Sequence, residues 1–178
     1  MKLSYDVATP KTMKTFLISF GMIALATSAL AFGKKEKEAA VPNSTLQQVK
    51  FGAVVNGVDF DAKELEGKVV VVELWGVNCP PCIASLPEMQ RLAKSGERKG
   101  LVVVGIECQD SSKEAINKVL KNARVSYPVV AGGSLGIDSP SIPYVGIFGA
   151  DGKLLWAGSP HHDDFKREVR DALKTASR

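Results

Sequence analysis

The segment Trp75-Gly-Val-Asn-Cys79-Pro-Pro-Cys82 follows directly on an apolar run, Val69 to Leu74. Two thiols spaced C-x-x-C at the first turn of a helix can close a small disulfide with little backbone movement. Unpaired N–H groups and about half a positive charge at a helix N-terminus favour thiolate over thiol there. Beside a strand–helix pattern, such a pair reads first as a dithiol redox centre and second as half of a zinc site. A tetrahedral site needs two more ligands, and Cys108, His161 and His162 are scattered without paired spacing. The site is therefore expected to hold no metal and no cofactor. Cys79, nearer the helix start, is the expected nucleophile, forming a mixed disulfide with its substrate. Cys82, one turn inward, would resolve that species and leave the pair oxidised.

Three neighbours bear on this chemistry. Pro80 and Pro81 remove two N–H donors but hold φ near helical values. They bring no side-chain charge to the thiolate. Glu73 lies six residues before Cys79 in an otherwise apolar strand, on the same face as Trp75 by period-two alternation. A carboxylate there is costly unless it is paired or neutral through a raised pKa. The alternative is an edge-facing or salt-bridged glutamate.

The elements that must position these residues can be read in order. Phe51 to Val58 alternates loosely and ends in the turn signal Asn56-Gly57. Asp61 to Gly67 reads as a short helical turn before a strand over Lys68–Leu74. From Cys79, apolar residues at Ile83, Leu86, Met89 and Leu92 have helical spacing, which Pro87 should kink without ending. Leu101–Ile106 is a continuous apolar strand, consistent with burial on both faces. Ser111 and Glu114 offer a capping box for a helix to about Arg124. Tyr127-Pro-Val-Val130 is extended and precedes a Gly- and Ser-rich loop. Tyr144–Phe148 and Leu154–Ala157 flank Gly149-Ala-Asp-Gly152 as a hairpin. Asp163-Asp164 should cap a last amphipathic helix to about Thr175. The expected fold is α/β, a central mixed sheet flanked by helices on both faces with an N-terminal β extension.

Over residues 50–176 this order resembles the thioredoxin superfamily, and more narrowly its exported TlpA/ResA-like branch of thiol–disulfide oxidoreductases. The resemblance rests on Gly67-Lys followed by the apolar strand, Trp75 and Cys79-Pro-Pro-Cys82. It also rests on Pro87 five residues later, on Ser141-Ile142-Pro143, and on the Asp-Gly hairpin. It implies that Pro143 is a cis proline facing the dithiol, turning the Ile142 backbone outward to pair with an extended substrate. It also implies that Glu73 is the buried acid that takes the proton of Cys82. Trp75, Pro80, Pro81 and Ile142 are then the expected substrate-side residues, with Trp75 also packing under the loop. The branch's second acid, three residues beyond the second cysteine, is replaced by Ser85. A Thr three residues before a peroxidatic cysteine is missing, since Gly76 stands there. Cys108 reads as a buried, inert thiol rather than a third redox group. His161 and His162 read as surface or capping residues.

The remaining chain places the protein. Lys2, Lys11 and Lys14 precede an uncharged apolar run, Phe16 to Phe32, that contains the small-x-small sequence Ala29-Leu-Ala31. Residues 1–31 thus read as a secretory signal peptide, the other reading being an uncleaved N-terminal membrane anchor. Its removal takes away three lysines and one aspartate, lowering the net charge from +4 to +2. No basic stripe with interleaved aromatics remains, so no nucleic-acid partner is expected. Residues 32–48 read as a flexible linker and 49–178 as one thioredoxin-like domain. Three cysteines are too few for a structural disulfide framework, and a C-x-x-C loop stabilises little by chain entropy. The expected protein is periplasmic and reduces disulfide-bonded exported clients, apocytochrome c among the candidates, with recharging by a membrane electron donor. An oxidase or isomerase of the same fold, or a copper- or zinc-binding module, are the alternatives.

Overall fold

The computed structural model describes residues 43–177. The expected signal peptide or anchor, and most of the expected linker, lie outside these residues. Among those described, no helix is long and apolar enough to cross a membrane.

Six strands form one mixed sheet: β1 (Lys50–Val54), β2 (Val69–Trp75), β3 (Leu101–Glu107), β4 (Val129–Ser134), β5 (Tyr144–Phe148) and β6 (Leu154–Gly158). Their order across the sheet is β1-β4-β3-β2-β5-β6. Three α-helices connect or follow them: α1 (Pro80–Gly96), α2 (Lys113–Ala123) and α3 (Phe165–Ala176). β2 is central, parallel to β3 on one side and antiparallel to β5 on the other. Every residue of β2 is buried, which is why its sequence runs apolar rather than alternating.

The two faces of the sheet are covered differently: all three α-helices pack on one of them. Val69, Val71 and Trp75 pack with Leu86 and Met89 of α1, Ile116 and Leu120 of α2, and Phe165 and Val169 of α3. The opposite face, with Val70, Val72 and Leu74, is closed by Leu46, Phe60, Leu65 and Leu135. Those residues belong to loops and to two short 3-10 helices, Leu46–Gln48 and Ala62–Leu65.

Several local expectations change in the folded chain. The end of the expected 32–48 linker is part of the domain: Ser44 is buried, and Thr45 bridges to Lys153. Ser44 O also accepts the N–H of Leu154 at 2.9 Å, so pairing with β6 orders a segment whose composition reads as solvated. The glycines after Val130 form strand rather than loop. β4 runs on through Gly132-Gly133 and pairs antiparallel with β1. A Cβ at Gly52 or Gly133 would strike the main chain opposite, so glycine here permits close approach of edge strand β1 to β4.

Both helix caps also differ from expectation. Ser112, not Ser111, caps α2 by accepting the N–H of Ala115, because Ser111 turns instead to Glu107. Asp164 precedes α3 but its side chain makes no cap bond; it accepts Trp156 Nε1–H at 3.3 Å. α1 continues through Pro87, whose ring lies on the exposed side. Gln90 on the inner side exchanges two hydrogen bonds with Ser126, clipping α1 to the start of β4.

Candidate active site

β2 delivers the chain to the dithiol through a short turn that β3 holds in place. Trp75 O accepts the N–H of Cys108 at 3.0 Å, and its Sγ–H at 3.3 Å. Beyond it, the Asn78 N–H donates to Gln109 Oε1 at 2.9 Å. The Gln109 amide occupies the space a Cβ on Gly76 would need. Gln109 was not legible in the sequence, since a polar residue after a strand carries no distinguishing signal.

Cys79 and Cys82 form a disulfide with Cα atoms 5.2 Å apart. Cys79 is 7 % exposed and Cys82 is fully enclosed, so only the first sulfur is offered to a partner. Pro80 and Pro81 occupy the first two helical positions and lack N–H groups. The Cys82 N–H is therefore the first amide of α1, and it donates to Cys79 Sγ at 3.3 Å. In the reduced protein this donor and the helix dipole favour charge on the Cys79 sulfur. The Ile142–Pro143 peptide bond is cis, and Ile142 O lies 3.8 Å from Cys79 Sγ. Pro80 and Pro81 are exposed and Ile142 is half-buried, forming a rim around Cys79, while Pro143 is buried beneath. Trp75 is not on that rim. Its side chain is wholly enclosed, because odd-numbered residues of β2 face the helices, and it supports the loop from below.

Glu73 is fully buried on that same face. Its register neighbours are Gly105 on β3 and Val145 on β5, neither able to pair with a charge. Ser85 Oγ lies 2.6 Å from Glu73 Oε1, and the Tyr127 hydroxyl donates to Oε2 at 3.5 Å. Burial pushes the carboxyl from 4.5 up to about 7, against the lowering pull of Ser85 and Tyr127. Burial first, then the Glu73 charge, drives the Tyr127 phenol well above its ordinary value. Ser85 Oγ also lies 2.7 Å from Cys82 O, so one hydroxyl joins the Glu73 carboxyl to the turn that carries the second cysteine. Ser85 entered the sequence reading only as a missing acid, and Tyr127 not at all as a site residue.

The other candidates fall nearby but do not join the dithiol. Cys108 ends beside Trp75 O, its thiol pushed up chiefly by burial and then by the Glu107 charge. The residue as a whole is exposed rather than buried as expected, with only its thiol turned in against Trp75 O. His161 Nε2 sits 3.3 Å from Pro81 O, at the flank of the active-site turn, while His162 faces Asp164.

A sheet of this order, with a cystine at the start of the helix that follows its central strand, defines a class: thiol–disulfide oxidoreductases of the thioredoxin fold. The chain belongs to the Redoxin family, whose model matches residues 36–164. It is 35 % identical over 89 residues to the thiol:disulfide interchange protein DsbE of Pseudomonas aeruginosa, covering 49 % of this chain and 44 % of that one. It is 25 % identical over 83 residues to the thiol-disulfide oxidoreductase ResA of Halalkalibacterium halodurans, covering 47 % of each. The match thus spans about half the length of these curated relatives. Among solved structures, a thioredoxin-family thiol:disulfide interchange protein from Chlorobium tepidum TLS superposes with a TM-score of 0.62 at 25 % identity. That alignment covers 76 % of this chain and 99 % of the other.

Proposed function

We propose that the protein is an exported dithiol reductase that opens disulfides in other exported proteins. The observation that carries the dithiol-exchange part of this reading is the Cys82 N–H directed at Cys79 Sγ, at the only part of the dithiol open to a partner. The reduced Cys79 thiolate attacks one sulfur of a client disulfide. A Cys79–client bond forms, and the other client sulfur departs as thiolate and takes a proton from water. Cys82–SH then gives its proton to the Glu73 carboxylate and attacks Cys79 Sγ, releasing the second client thiolate. The client gains two electrons and the protein's dithiol is oxidised. The rim of Pro80, Pro81 and Ile142 seats an extended client strand, Ile142 O accepting a main-chain N–H.

Recharging requires two electrons from a membrane donor, the Glu73 proton returning to Cys82 as Cys79 becomes a thiolate again. Residues 1–31 supply the export signal, or a tether if uncleaved, and place the site in the periplasm. Apocytochrome c is one client class to test. The purified domain should reduce insulin disulfides with dithiothreitol as donor, and Cys79→Ser should abolish this. An inactive wild type would overturn the reading. Cys82→Ser should retain clients as mixed disulfides on Cys79, which identifies them by mass spectrometry.

A further inference from the structure

The contacts of Ser85 fix more than its position. Its hydroxyl has one hydrogen, yet it stands 2.6 Å from Glu73 Oε1 and 2.7 Å from Cys82 O. The peptide carbonyl can only accept, so while Glu73 is protonated the serine proton points to Cys82 O. The remaining contact is then a bond from a protonated Glu73 to Ser85 Oγ. When Glu73 ionises, the same hydroxyl can rotate and donate to the carboxylate, since Cys82 O keeps the helical partner of an interior carbonyl. From these two contacts we propose that Ser85 is the positioning residue for the Glu73 proton, serving the neutral acid as acceptor and the carboxylate as donor. This rests on Glu73 acting as the base for Cys82, and goes beyond it by naming the group that makes Glu73 usable in both states.

The surroundings leave Ser85 few rivals. The groups around Glu73 are Gly105 on β3, Val145 on β5, the Tyr127 hydroxyl ahead of β4, and the Cys79–Cys82 turn with Ser85 on α1. The next carboxylate on that face of β3, Glu107, is occupied by the N–H and hydroxyl of Ser111. Tyr127 reaches Glu73 only at 3.5 Å. A donor to an ionised group is worth more than one to its neutral form. Without Ser85 the carboxylate loses more than the acid does, and Glu73 should ionise only at higher pH.

The test uses the reduced protein carrying Cys108→Ser, which removes the exposed third thiol, mixed with 5,5′-dithiobis-(2-nitrobenzoate) in a stopped-flow instrument. The first nitrothiobenzoate released reports attack by Cys79, and the second reports attack by Cys82 on the mixed disulfide. In Ser85→Ala, the acid limb of the second phase should move up by roughly one pH unit or more. Ser85→Thr should restore it, and the first phase should not move. In Glu73→Gln the limb that levels near neutrality should be lost, leaving a slower phase that follows hydroxide, and adding Ser85→Ala should change nothing further. An unmoved limb in Ser85→Ala, or a shift that persists in the Glu73→Gln background, overturns the role of Ser85. A limb that still levels near neutrality in Glu73→Gln alone overturns the reading of Glu73 as base. The oxidised protein gives a separate readout. The infrared C=O stretch of the protonated Glu73, absent in Glu73→Gln, should shift in Ser85→Ala as its hydrogen bond is lost; an unshifted band overturns the proposal.

Discussion

At Cys79 and Glu73 two opposite devices act. The Cys79 sulfur receives a helix N–H, which favours its charged form, while Glu73 is stripped of water, which favours its neutral form. The two effects suit consecutive steps: a thiolate for attack, then a base whose pKa, about 7, matches a proton taken near neutral pH. Glu73→Gln should slow the second, resolving phase by about 10²-fold or more, the usual worth of a positioned base, and leave the first phase unchanged. Equal slowing of both phases would instead make Glu73 a purely structural residue. Stopped-flow release of the chromogenic thiol separates the two outcomes.

Helix α2 shows how an element's end is decided by its neighbours. Ser111 has the spacing of a cap, but Glu107 at the buried end of β3 needs donors, and it takes both the N–H and the hydroxyl of Ser111. Ser112 then caps the helix. Ser112→Ala should cost about 1 kcal/mol in urea denaturation at unchanged m-value, and Glu114→Ala should stay within about 0.5 kcal/mol. The reverse order of costs would restore the capping box read from the sequence. At the sheet edge, Gly52→Ala would push a methyl group into the β4 main chain. It should destabilise by roughly 1–3 kcal/mol without altering thiol reactivity, because β1 lies three strands from β2.

For the whole molecule, the buried acid makes stability depend on pH. Glu73 has a folded value of about 7 against an ordinary 4.5, so folding favours its protonated form. That advantage is fully present below pH 4.5 and is lost as the pH rises through about 7. The window corresponds to about 3 kcal/mol at most. Urea unfolding of the oxidised protein across this range should show Glu73→Gln gaining on the wild type as pH rises, and levelling above neutrality. Parallel curves would mean that Glu73 is ionised and satisfied throughout.

The dithiol, the order of strands and helices, the Asn56-Gly57 and Asp-Gly turns, and the proline at 143 were legible in the residues. Periodicity, turn chemistry and C-x-x-C spacing are local properties that need no partner to be recognised. Glu73 was legible as an anomaly, because a carboxylate inside an apolar strand demands an explanation. What satisfies it was not. Ser85 and Tyr127 lie 12 and 54 residues away and meet Glu73 only through the packing of α1 and β4 on β2. Gln109 on the active-site turn, Ser111 on Glu107 and the glycine-rich β4 likewise depend on strand register, a long-range property. The sequence by itself determined which thiols pair and on what scaffold. Only the tertiary structure decided which hydroxyl stands between Cys82 and Glu73, since that pairing is made by burial.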